Sequence, residues 1–346
     1  MHKSPIFFLV FTVAVAGLAV PARAGQILYE ASGTCYISGC NEINTVASNG
    51  GLTPFASVAT QSLATDSQGN VYAVVNGEVL MYAPNGTTTI VGASADSLGM
   101  AFDSAGNLYT TNDASGTIRE YAVGQYDPNN PDSNWYDVAG ISTNIVQTRD
   151  VAFDAAGNIY IASNGTGEIL KATPDGNPVP GSPIIGYNTP TPYISDVDPW
   201  GLAFDSAGNL YVADTNNDEI LEYSSTGSFI KVFASAASTA NLGAYALSNP
   251  SGIAFDASGD LFVASNSRVR FGYTCGLTQT CTTSILEFTP DGADSVYAST
   301  GLEQTEALAF SSAGTSTPEP RTTLLFASGA LVLLSLGQRR KGCTKN

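Results

Sequence analysis

Histidine is almost missing from this chain of 346 residues, in which the only one is His2. Positive charge is also scarce, because 13 Lys and Arg stand against 30 Asp and Glu, for a formal net charge of −17. An acidic chain of this kind repels nucleic acid and anionic lipid surfaces, and we expect neither as a partner. Histidine is the most common general base and metal ligand, so its near absence argues against most hydrolytic and zinc sites. The nucleophile motif Gly-x-Ser-x-Gly does not occur in the sequence either.

Long charged surface helices are not expected, since charged residues make up only 12% of the chain and Gly and Pro number 35 and 17. Aromatic residues are plentiful, with 16 Tyr and 15 Phe. This composition is typical of short strands joined by turns. The sequence therefore predicts an all-β fold.

The first 24 residues have the pattern of a secretory signal peptide. Lys3 precedes an almost wholly apolar run from Ile6 to Val20, and the small residues Ala22 and Ala24 mark a cleavage site. The run is shorter than the roughly 20 residues that a bilayer-spanning helix needs, which argues against the alternative of a retained membrane helix. We expect the chain to be exported and residues 1–24 to be removed.

The other end of the chain carries three features in a set order. Pro318-Glu319-Pro320 is followed by an apolar run from Leu324 to Leu336 and then by Arg339-Arg340-Lys341. Residues 317–346 resemble a PEP-CTERM sorting signal, and the resemblance implies an exosortase-type processing enzyme as a partner. It also implies only transient membrane contact through the tail, and a final location on the bacterial cell surface, in the outer envelope or in an extracellular matrix. A simple C-terminal anchor is the alternative, for which the apolar run is short.

Residues 25–316 form the predicted folded domain, whose net charge is about −23, and one motif recurs along it. The motif reads GLAFDSAGNLYVADTNNDEILEYSSTG from Gly201, and copies begin at Gly99, Asp150 and Gly252, with a weaker copy at Ser62 and a truncated copy at Ala307. Successive copies are 37, 51, 51, 51 and 55 residues apart, measured at the equivalent positions Thr65, Phe102, Phe153, Phe204, Phe255 and Phe310. Periods of this length are typical of solenoids and propellers.

Each unit is predicted to contain four strands. In the copy at Gly201 they are Leu202–Asp205, Leu210–Ala213, Glu219–Tyr223 and Phe229–Phe233. The segment after the first strand is a tight turn in which Gly208 takes a positive φ and the Asp205 carboxylate accepts amide hydrogens. We interpret the recurrent Asp66, Asp103, Asp154, Asp205 and Asp256 as turn residues, because a calcium loop would need further carboxylates.

The first strand of each unit favours a propeller over a solenoid. Ala recurs between large apolar residues, as Ala203 does, so alternation gives each strand one small and one bulky face. Wedge-shaped units around an axis need this pairing of faces. The copy at Ala307 supplies a lone first strand, and residues 26–46 supply strands without one. We therefore predict a six-bladed β-propeller of four-stranded antiparallel blades, closed by a composite blade from both chain ends.

The copies at Gly99, Asp150, Gly201 and Gly252 resemble NHL repeats, because apolar, Ala, Phe and Asp residues recur at constant offsets from Gly-Asn and Tyr. The resemblance covers residues 62–292. Six-bladed propellers with similar strands include gluconolactonase-like hydrolases, an amidating lyase and strictosidine-synthase-like enzymes. A shared fold does not carry an activity over, so the resemblance by itself assigns none.

Four cysteines lie in the folded domain and the fifth, Cys343, lies in the tail. Cys35 and Cys40 occupy the loop between the second and third strands of one blade, and Cys275 and Cys281 occupy the same loop of the neighbouring blade. In an exported chain this arrangement predicts two local disulfides, Cys35–Cys40 and Cys275–Cys281. Pairing between the two blades is the alternative, and the spacing does not match a zinc site.

Residues just before each first strand are expected to ring the axial mouth, at the end of the propeller where the long connections between blades also arrive. They include Gln61, Arg149, Trp200 and Glu306, with Asp150 in the next position. In a ring of six blades, Arg149 and Glu306 lie opposite each other. A Trp beside an Arg and carboxylates forms a candidate binding pocket, and a solvated rim around one buried Trp is the alternative.

Two functional classes remain open. We predict a non-catalytic binding or scaffold module, without a cofactor, that contacts an envelope glycan or protein through the loop-rich face. The alternative is a gluconolactonase-like or lyase-like enzyme with a divalent ion at the axial mouth. Asp150 and Glu306, together with loop residues such as Asn112, Asn164 or Asn216, are the available ligands for that ion.

Overall fold

A computed structural model of the chain describes residues 26–32, 42–93, 97–112, 115–122, 135–138, 147–173, 197–266, 283–300, 302 and 304–311. These residues form 23 β-strands in six antiparallel sheets. The predicted signal peptide, the sorting tail with Pro318, Glu319 and Pro320, and the four cysteines proposed to pair all lie outside the described residues. In the part of the chain that is described, no helix is long and apolar enough to cross a bilayer.

Six blades follow one another along the chain, and the strands of each are as follows. The chain starts with β1 (Leu28–Ser32), β2 (Ile43–Val46) and β3 (Leu52–Ala56), which belong to the last blade. Blade 1 contains β4 (Leu63–Thr65), β5 (Val71–Val75), β6 (Glu78–Tyr82) and β7 (Thr88–Ala93). Blade 2 contains β8 (Met100–Phe102), β9 (Leu108–Asn112), β10 (Thr117–Tyr121) and β11 (Trp135–Asp137).

The second half of the ring repeats this order. Blade 3 has three described strands, β12 (Thr148–Phe153), β13 (Ile159–Ser163) and β14 (Glu168–Ala172). Blade 4 contains β15 (Pro199–Phe204), β16 (Leu210–Asp214), β17 (Glu219–Tyr223) and β18 (Phe229–Ser235). Blade 5 contains β19 (Pro250–Phe255), β20 (Leu261–Asn266), β21 (Thr283–Phe288) and β22 (Asp294–Ala298), and β23 (Thr305–Phe310) opens blade 6. The four predicted strands of the Gly201 copy are confirmed, although the first runs from Pro199 to Phe204, the second ends at Asp214 and the last ends at Ser235.

Blade 6 is the composite blade that the sequence predicts. Its strand order is β23-β1-β2-β3, so the last strand of the ring pairs with the first strand of the chain. In this pairing Leu28 lies opposite Phe310, and Glu30 lies opposite Leu308. The innermost strands β4, β8, β12, β15, β19 and β23 each contact the next one, and β23 contacts β4. The six-bladed propeller and its closure by both chain ends are therefore confirmed.

Adjacent blades pack through a repeated aromatic contact. A Tyr or Phe on the second strand of one blade meets the Phe that ends the first strand of the next, with ring centroids 4.8 Å apart for Tyr160 and Phe204 and 4.9 Å apart for Tyr211 and Phe255. The seam between blades 6 and 1 is the exception, because Thr65 occupies the Phe position and its hydroxyl donates to the Phe310 carbonyl at 2.5 Å. Beside these aromatic contacts, Ala152 of blade 3 packs in one cluster with Leu202 and Phe204 of blade 4, so the small face of one first strand meets the bulky face of the next, as the alternating pattern predicts.

The recurrent aspartates close turns, as the sequence predicts. Asp205 Oδ1 accepts the backbone N–H groups of Ala207 and Asn209 at 2.9 and 2.8 Å, and its Oδ2 accepts the side-chain amide of Asn209 at 2.9 Å. Gly208 in the same turn has a φ of 84°. Asp66, Asp103 and Asp154 make the same three contacts. These carboxylates act as turn caps.

Candidate functional site

β-Bulges position the side chains at the axial mouth. In blade 3 the pairing with β13 skips from Thr148 to Asp150, and in blade 6 the pairing with β1 skips from Thr305 to Ala307. The first strands of blades 4 and 5 are bulged at the same level, where Trp200 lies in blade 4. A bulge leaves a residue out of the ladder and re-aims its side chain. Arg149, Trp200 and Glu306 all occupy such positions.

Arg149 and Trp200 form a stacked pair between blades 3 and 4. The guanidinium carbon of Arg149 lies 4.4 Å from the centroid of the Trp200 ring, which is a cation–π contact. The Arg149 Nε is buried, and it has no hydrogen-bond partner in the described part of the chain. Both residues are partly exposed. Together they present a planar surface at the mouth.

A pair of carboxylates lies beside this surface in blade 4. Asp214 Oδ1 accepts the Asp198 backbone N–H at 3.2 Å, and its Oδ2 accepts the Asn217 side-chain amide at 2.9 Å. Burial, together with the Asp214 carboxylate, raises the pKa of Asp198, and the Arg149 guanidinium opposes that rise. Asp198 therefore contributes negative charge close to Arg149.

Glu306 lies in blade 6, on the far side of the axis from Arg149. Its side chain is only 4% exposed and accepts a hydrogen bond from the Gln304 side-chain amide. Burial raises the pKa of Glu306 to about 7, while the Gln304 hydrogen bond and the positive charge of Arg149 both lower it. The expected placement of Arg149 and Glu306 in opposing blades agrees with the six-bladed ring.

Asp150 ties two blades together. Its Oδ1 accepts the Val151 N–H, and its Oδ2 accepts the N–H of Leu202 in blade 4, both at 2.8 Å. Burial raises the pKa of Asp150 to about 7, although these two N–H groups lower it. Both carboxylate oxygens are thus engaged by backbone, so Asp150 contributes to the interface between blades 3 and 4.

A cavity of about 330 Å³ follows the axis and is lined by residues of all six blades. Arg149, Asp150 and Trp200 are among the lining residues, whereas Glu306 and Gln61 are not. Ser62 lines the cavity in place of Gln61, and the pairing of β4 with β5 has no bulge that would turn Gln61 towards the axis. The cavity is at the small end of the range for ligand pockets, so it fits a small molecule or the tip of a larger one.

The inner glycines serve ring closure. A Cβ on Gly99 would lie 2.4 Å from Asp150 Cα, and a Cβ on Gly201 would lie 2.3 Å from the Ser251 carbonyl oxygen. These distances are far below a van der Waals contact, so glycine is required where one first strand passes the next. Gly99 and Gly201, which begin two copies of the repeat, thus allow the inner strands to approach closely.

The carboxylates named as metal ligands in the enzyme alternative are not brought together as a metal cluster. Across the described ranges, no three Asp, Glu, His or Cys side chains lie close enough to share a metal ion. Asp150 already uses both carboxylate oxygens for backbone N–H groups. Asp150 and Glu306 therefore do not form a cage for a divalent ion in the described part of the chain.

Comparisons with known proteins agree with this architecture. The NHL repeat family model matches residues 197–223, which include the first three strands of blade 4. The comparison with curated proteins found no match. Among solved structures, a protein of unknown function from Bacteroides caccae is similar with a TM-score of 0.60 and 13% identity, over 83% of this chain and 98% of the other.

Two further solved structures carry enzyme names. Virginiamycin B lyase from Staphylococcus aureus has a TM-score of 0.51 and 12% identity, over 84% of this chain and 92% of the other. A putative gluconolactonase has a TM-score of 0.47 and 17% identity, over 69% of this chain and 76% of the other. The similarities to the Bacteroides caccae protein and to virginiamycin B lyase show the propeller fold alone, because the sequence identities are low. The similarity to the putative gluconolactonase carries no argument, because its TM-score is below 0.5.

The sequence did not predict the bulges at which Arg149, Trp200 and Glu306 lie. The bulges lie in first strands that the repeats show as uniform, and no residue pattern marks them. The sequence also did not point to Asp214 as a site residue. The equivalent residue at the end of the second strand is Asn112 in blade 2 and Ser163 in blade 3. This variation within otherwise similar copies is the sequence feature that could have indicated a site at Asp214.

Proposed function

We propose that this protein is an exported, non-catalytic binding module that recognises an envelope glycan at its axial mouth. The observation that carries the proposal is the Arg149 and Trp200 pair, which presents a planar surface beside a cavity of about 330 Å³. Aromatic and guanidinium planes suit the flat faces of sugar rings. Surrounding carboxylates and amides suit their hydroxyl groups.

The charge around the mouth favours an uncharged ligand. Arg149 is the positive group, and it interacts with the negative charges of both Asp198 and Glu306. An anionic ligand would meet these carboxylates, and a cationic ligand would meet the guanidinium. A neutral sugar is repelled neither by the carboxylates nor by the guanidinium, so a neutral glycan is favoured over a charged one.

Export and surface display come from the two ends of the chain. We propose that residues 1–24 direct export and that residues 317–346 are recognised by an exosortase-type enzyme, with Pro318-Glu319-Pro320 as the sorting box. The domain of residues 25–316 would then be displayed on the cell surface or released into the extracellular matrix. The strongly acidic domain would stay soluble in that setting.

The two tryptophans of this chain allow a matched test. Trp135 in blade 2 also stacks on an arginine, with the Arg119 guanidinium carbon 3.7 Å from its ring centroid, but it lies on an outer strand. The full-length protein would be applied to an array of neutral, uronate-containing and sulfated oligosaccharides. We expect binding to neutral glycans that Trp200→Ala weakens at least about tenfold and that Trp135→Ala leaves unchanged. Equal loss in both variants, or binding only to proteins of the envelope, would refute the glycan proposal.

One observation favours the enzyme alternative. The pKa of Asp150 and that of Glu306 are both raised to about 7, which suits a general acid or base at neutral pH. Asp150 uses both carboxylate oxygens for backbone N–H groups, and Glu306 is buried and does not line the cavity, so the geometry favours the binding module over the enzyme. Turnover of a lactone or ester by the wild type that Glu306→Gln abolishes would establish the enzyme alternative, whereas a binding module would show no turnover in either form.

A further inference from the structure

One buried carboxylate lies where other blades have no charge. The third residue of the second strand is Ala73, Thr110, Ile161, Val212 and Val263 in blades 1 to 5, and it is Glu30 in blade 6. Glu30 is completely buried. An ionisable group at this depth is costly unless it is hydrogen-bonded. Its presence in the blade that joins the two chain ends therefore needs an explanation.

Glu30 connects all three inner strands of the composite blade. Its Oε1 accepts the Asn44 side-chain amide of β2 at 2.6 Å, and its Oε2 accepts the Thr305 hydroxyl of β23 at 3.1 Å. Asn44 belongs to the N-terminal part of the chain, and Thr305 is 275 residues away from Glu30. The carboxylate thus links the strands that the two ends of the chain bring together.

Thr305 is held on its other side by blade 5. Its backbone N–H donates to Asn266 Oδ1 at 3.1 Å, and its carbonyl accepts the Asn266 side-chain amide and the Ser251 hydroxyl, both at 2.8 Å. Thr305 therefore bonds to Glu30 in its own blade and to blade 5 at the same time. It directly precedes Glu306, which the bulge leaves out of the ladder.

We propose that Glu30 is a positioning residue that locks the register of β23 through Thr305 and so places Glu306 at the axial mouth opposite Arg149. A slip of one residue in a strand turns every side chain to the other face. The β23 strand joins its sheet without a short connection to β1, so side chains must specify its register. Specifying the register of packed elements is the best-established role of buried polar groups in proteins. The effect on ligand binding rests on the proposed function, whereas the register lock does not.

Thr148 provides a matched control. It precedes Arg149 in blade 3 as Thr305 precedes Glu306 in blade 6, and it is completely buried. Its hydroxyl has no hydrogen-bond partner in the described part of the chain. Thr148→Val therefore makes the same chemical change as Thr305→Val in the opposite blade without breaking a link to a carboxylate.

The test compares Thr305→Val, Thr305→Ser and Thr148→Val in the full-length protein. Two readouts need no ligand: hydrogen exchange of the peptide containing residues 304–311, and the pKa of Glu306 from carboxyl ¹³C NMR. We expect Thr305→Val to speed exchange at least about tenfold and to displace the pKa of Glu306. Thr305→Ser should restore both, and Thr148→Val should match the wild type.

Unchanged exchange in Thr305→Val would overturn the register lock. Faster exchange with an unchanged pKa of Glu306 would overturn the positioning of Glu306 and leave only a structural role. If Thr305→Val does not fold, Glu30→Gln takes its place, because it keeps the volume and one acceptor oxygen. Glu30→Gln should speed exchange by a smaller factor, and wild-type exchange in this variant would refute the proposal.

A ligand readout then separates this inference from the proposed function. With the neutral oligosaccharides of the array as probes, Thr305→Val should bind more weakly at equal folded fraction, and Thr305→Ser should bind as the wild type does. If the wild type binds no glycan, the proposed function fails. Hydrogen exchange and NMR still test whether Glu30 fixes the register of β23 through Thr305. If the wild type binds and Thr305→Val binds equally well, the proposed link between Glu30 and the mouth is wrong.

Discussion

Arg149 and Glu306 belong to opposing blades of the six-bladed ring and interact across its axis, where the guanidinium lowers the pKa that burial raises in the carboxyl group. Each residue is left out of its strand ladder by a bulge. Because the two blades are three positions apart in the ring, this interaction depends on correct closure by β23. A change in the interaction between Arg149 and Glu306 would therefore indicate a change in ring closure or in the arrangement of the axial mouth.

Arg149→Ala should raise the pKa of Glu306 above its present value of about 7, because the positive charge that favours the carboxylate is removed. Carboxyl ¹³C NMR over a pH titration measures this pKa directly. Arg119→Ala serves as the control, since Arg119 lies in blade 2 beside Asp137 at 3.5 Å. A pKa of Glu306 that is the same in all three proteins would show that the two residues do not interact across the axis.

Stability should fall as the pH rises from about 4.5 to 7. Glu30 and Glu306 are buried, and burial raises the pKa of each from 4.5 to about 7 in the folded state. Within this window the folded protein binds more protons than the unfolded chain, so the free energy of unfolding decreases with pH and levels off above pH 7. Each group contributes on the order of 3 kcal/mol.

Urea unfolding at pH 5 and pH 8 measures this effect in the wild type, Glu30→Gln and Glu306→Gln. Each substitution should reduce the difference in the free energy of unfolding between pH 5 and pH 8 by the contribution of the carboxyl group that it removes. Other carboxyl groups also titrate, so the comparison between variants carries the prediction. The prediction is contradicted if the free energy of unfolding is the same at pH 5 and pH 8 in the wild type and in both variants.

Gly201→Ala should destabilise the propeller by about 1–3 kcal/mol, because the new methyl group would lie 2.3 Å from the Ser251 carbonyl oxygen of the next blade. Gly51→Ala is the control, since its Cβ would meet only the exposed side chain of Asn49, at 3.0 Å. Thermal and urea unfolding measure both. If the two variants have the same stability, the inner strands do not need the close approach at Gly201.

Deletion of residues 317–346 should leave the unfolding transition unchanged, because the described ring is already closed by β23, which ends at Phe310. The location of the protein should change instead, from cell surface or matrix to freely soluble export. Differential scanning calorimetry tests the first statement and fractionation of the host cells tests the second. A truncated protein that aggregates or loses its transition would show that the tail packs on the propeller.

Sequence alone determined the blade count, the composite closure and the turn aspartates. The blade count and the turn aspartates arise from contacts that are local within a unit and repeat along the chain, such as the hydrogen bonds between Asp205 and Asn209, and the closure follows from the incomplete units at the two ends of the domain. Alternation of Ala203 with larger residues was enough to predict which strand faces pack between blades. Repetition made the prediction robust, because several copies carry the same signal.

Only the tertiary structure decided what the axial mouth looks like. Bulges release Arg149 and Glu306 from their ladders in blades 3 and 6, whereas the first strands of blades 1 and 2 pair without one, and the repeated motif does not show this difference. The same holds for Glu30, whose burial no pattern in the sequence indicates. Its partner Thr305 is 275 residues away and becomes a neighbour only when the ring closes. Long-range contacts of this kind are made by the closed fold, so no local pattern in the sequence could predict them.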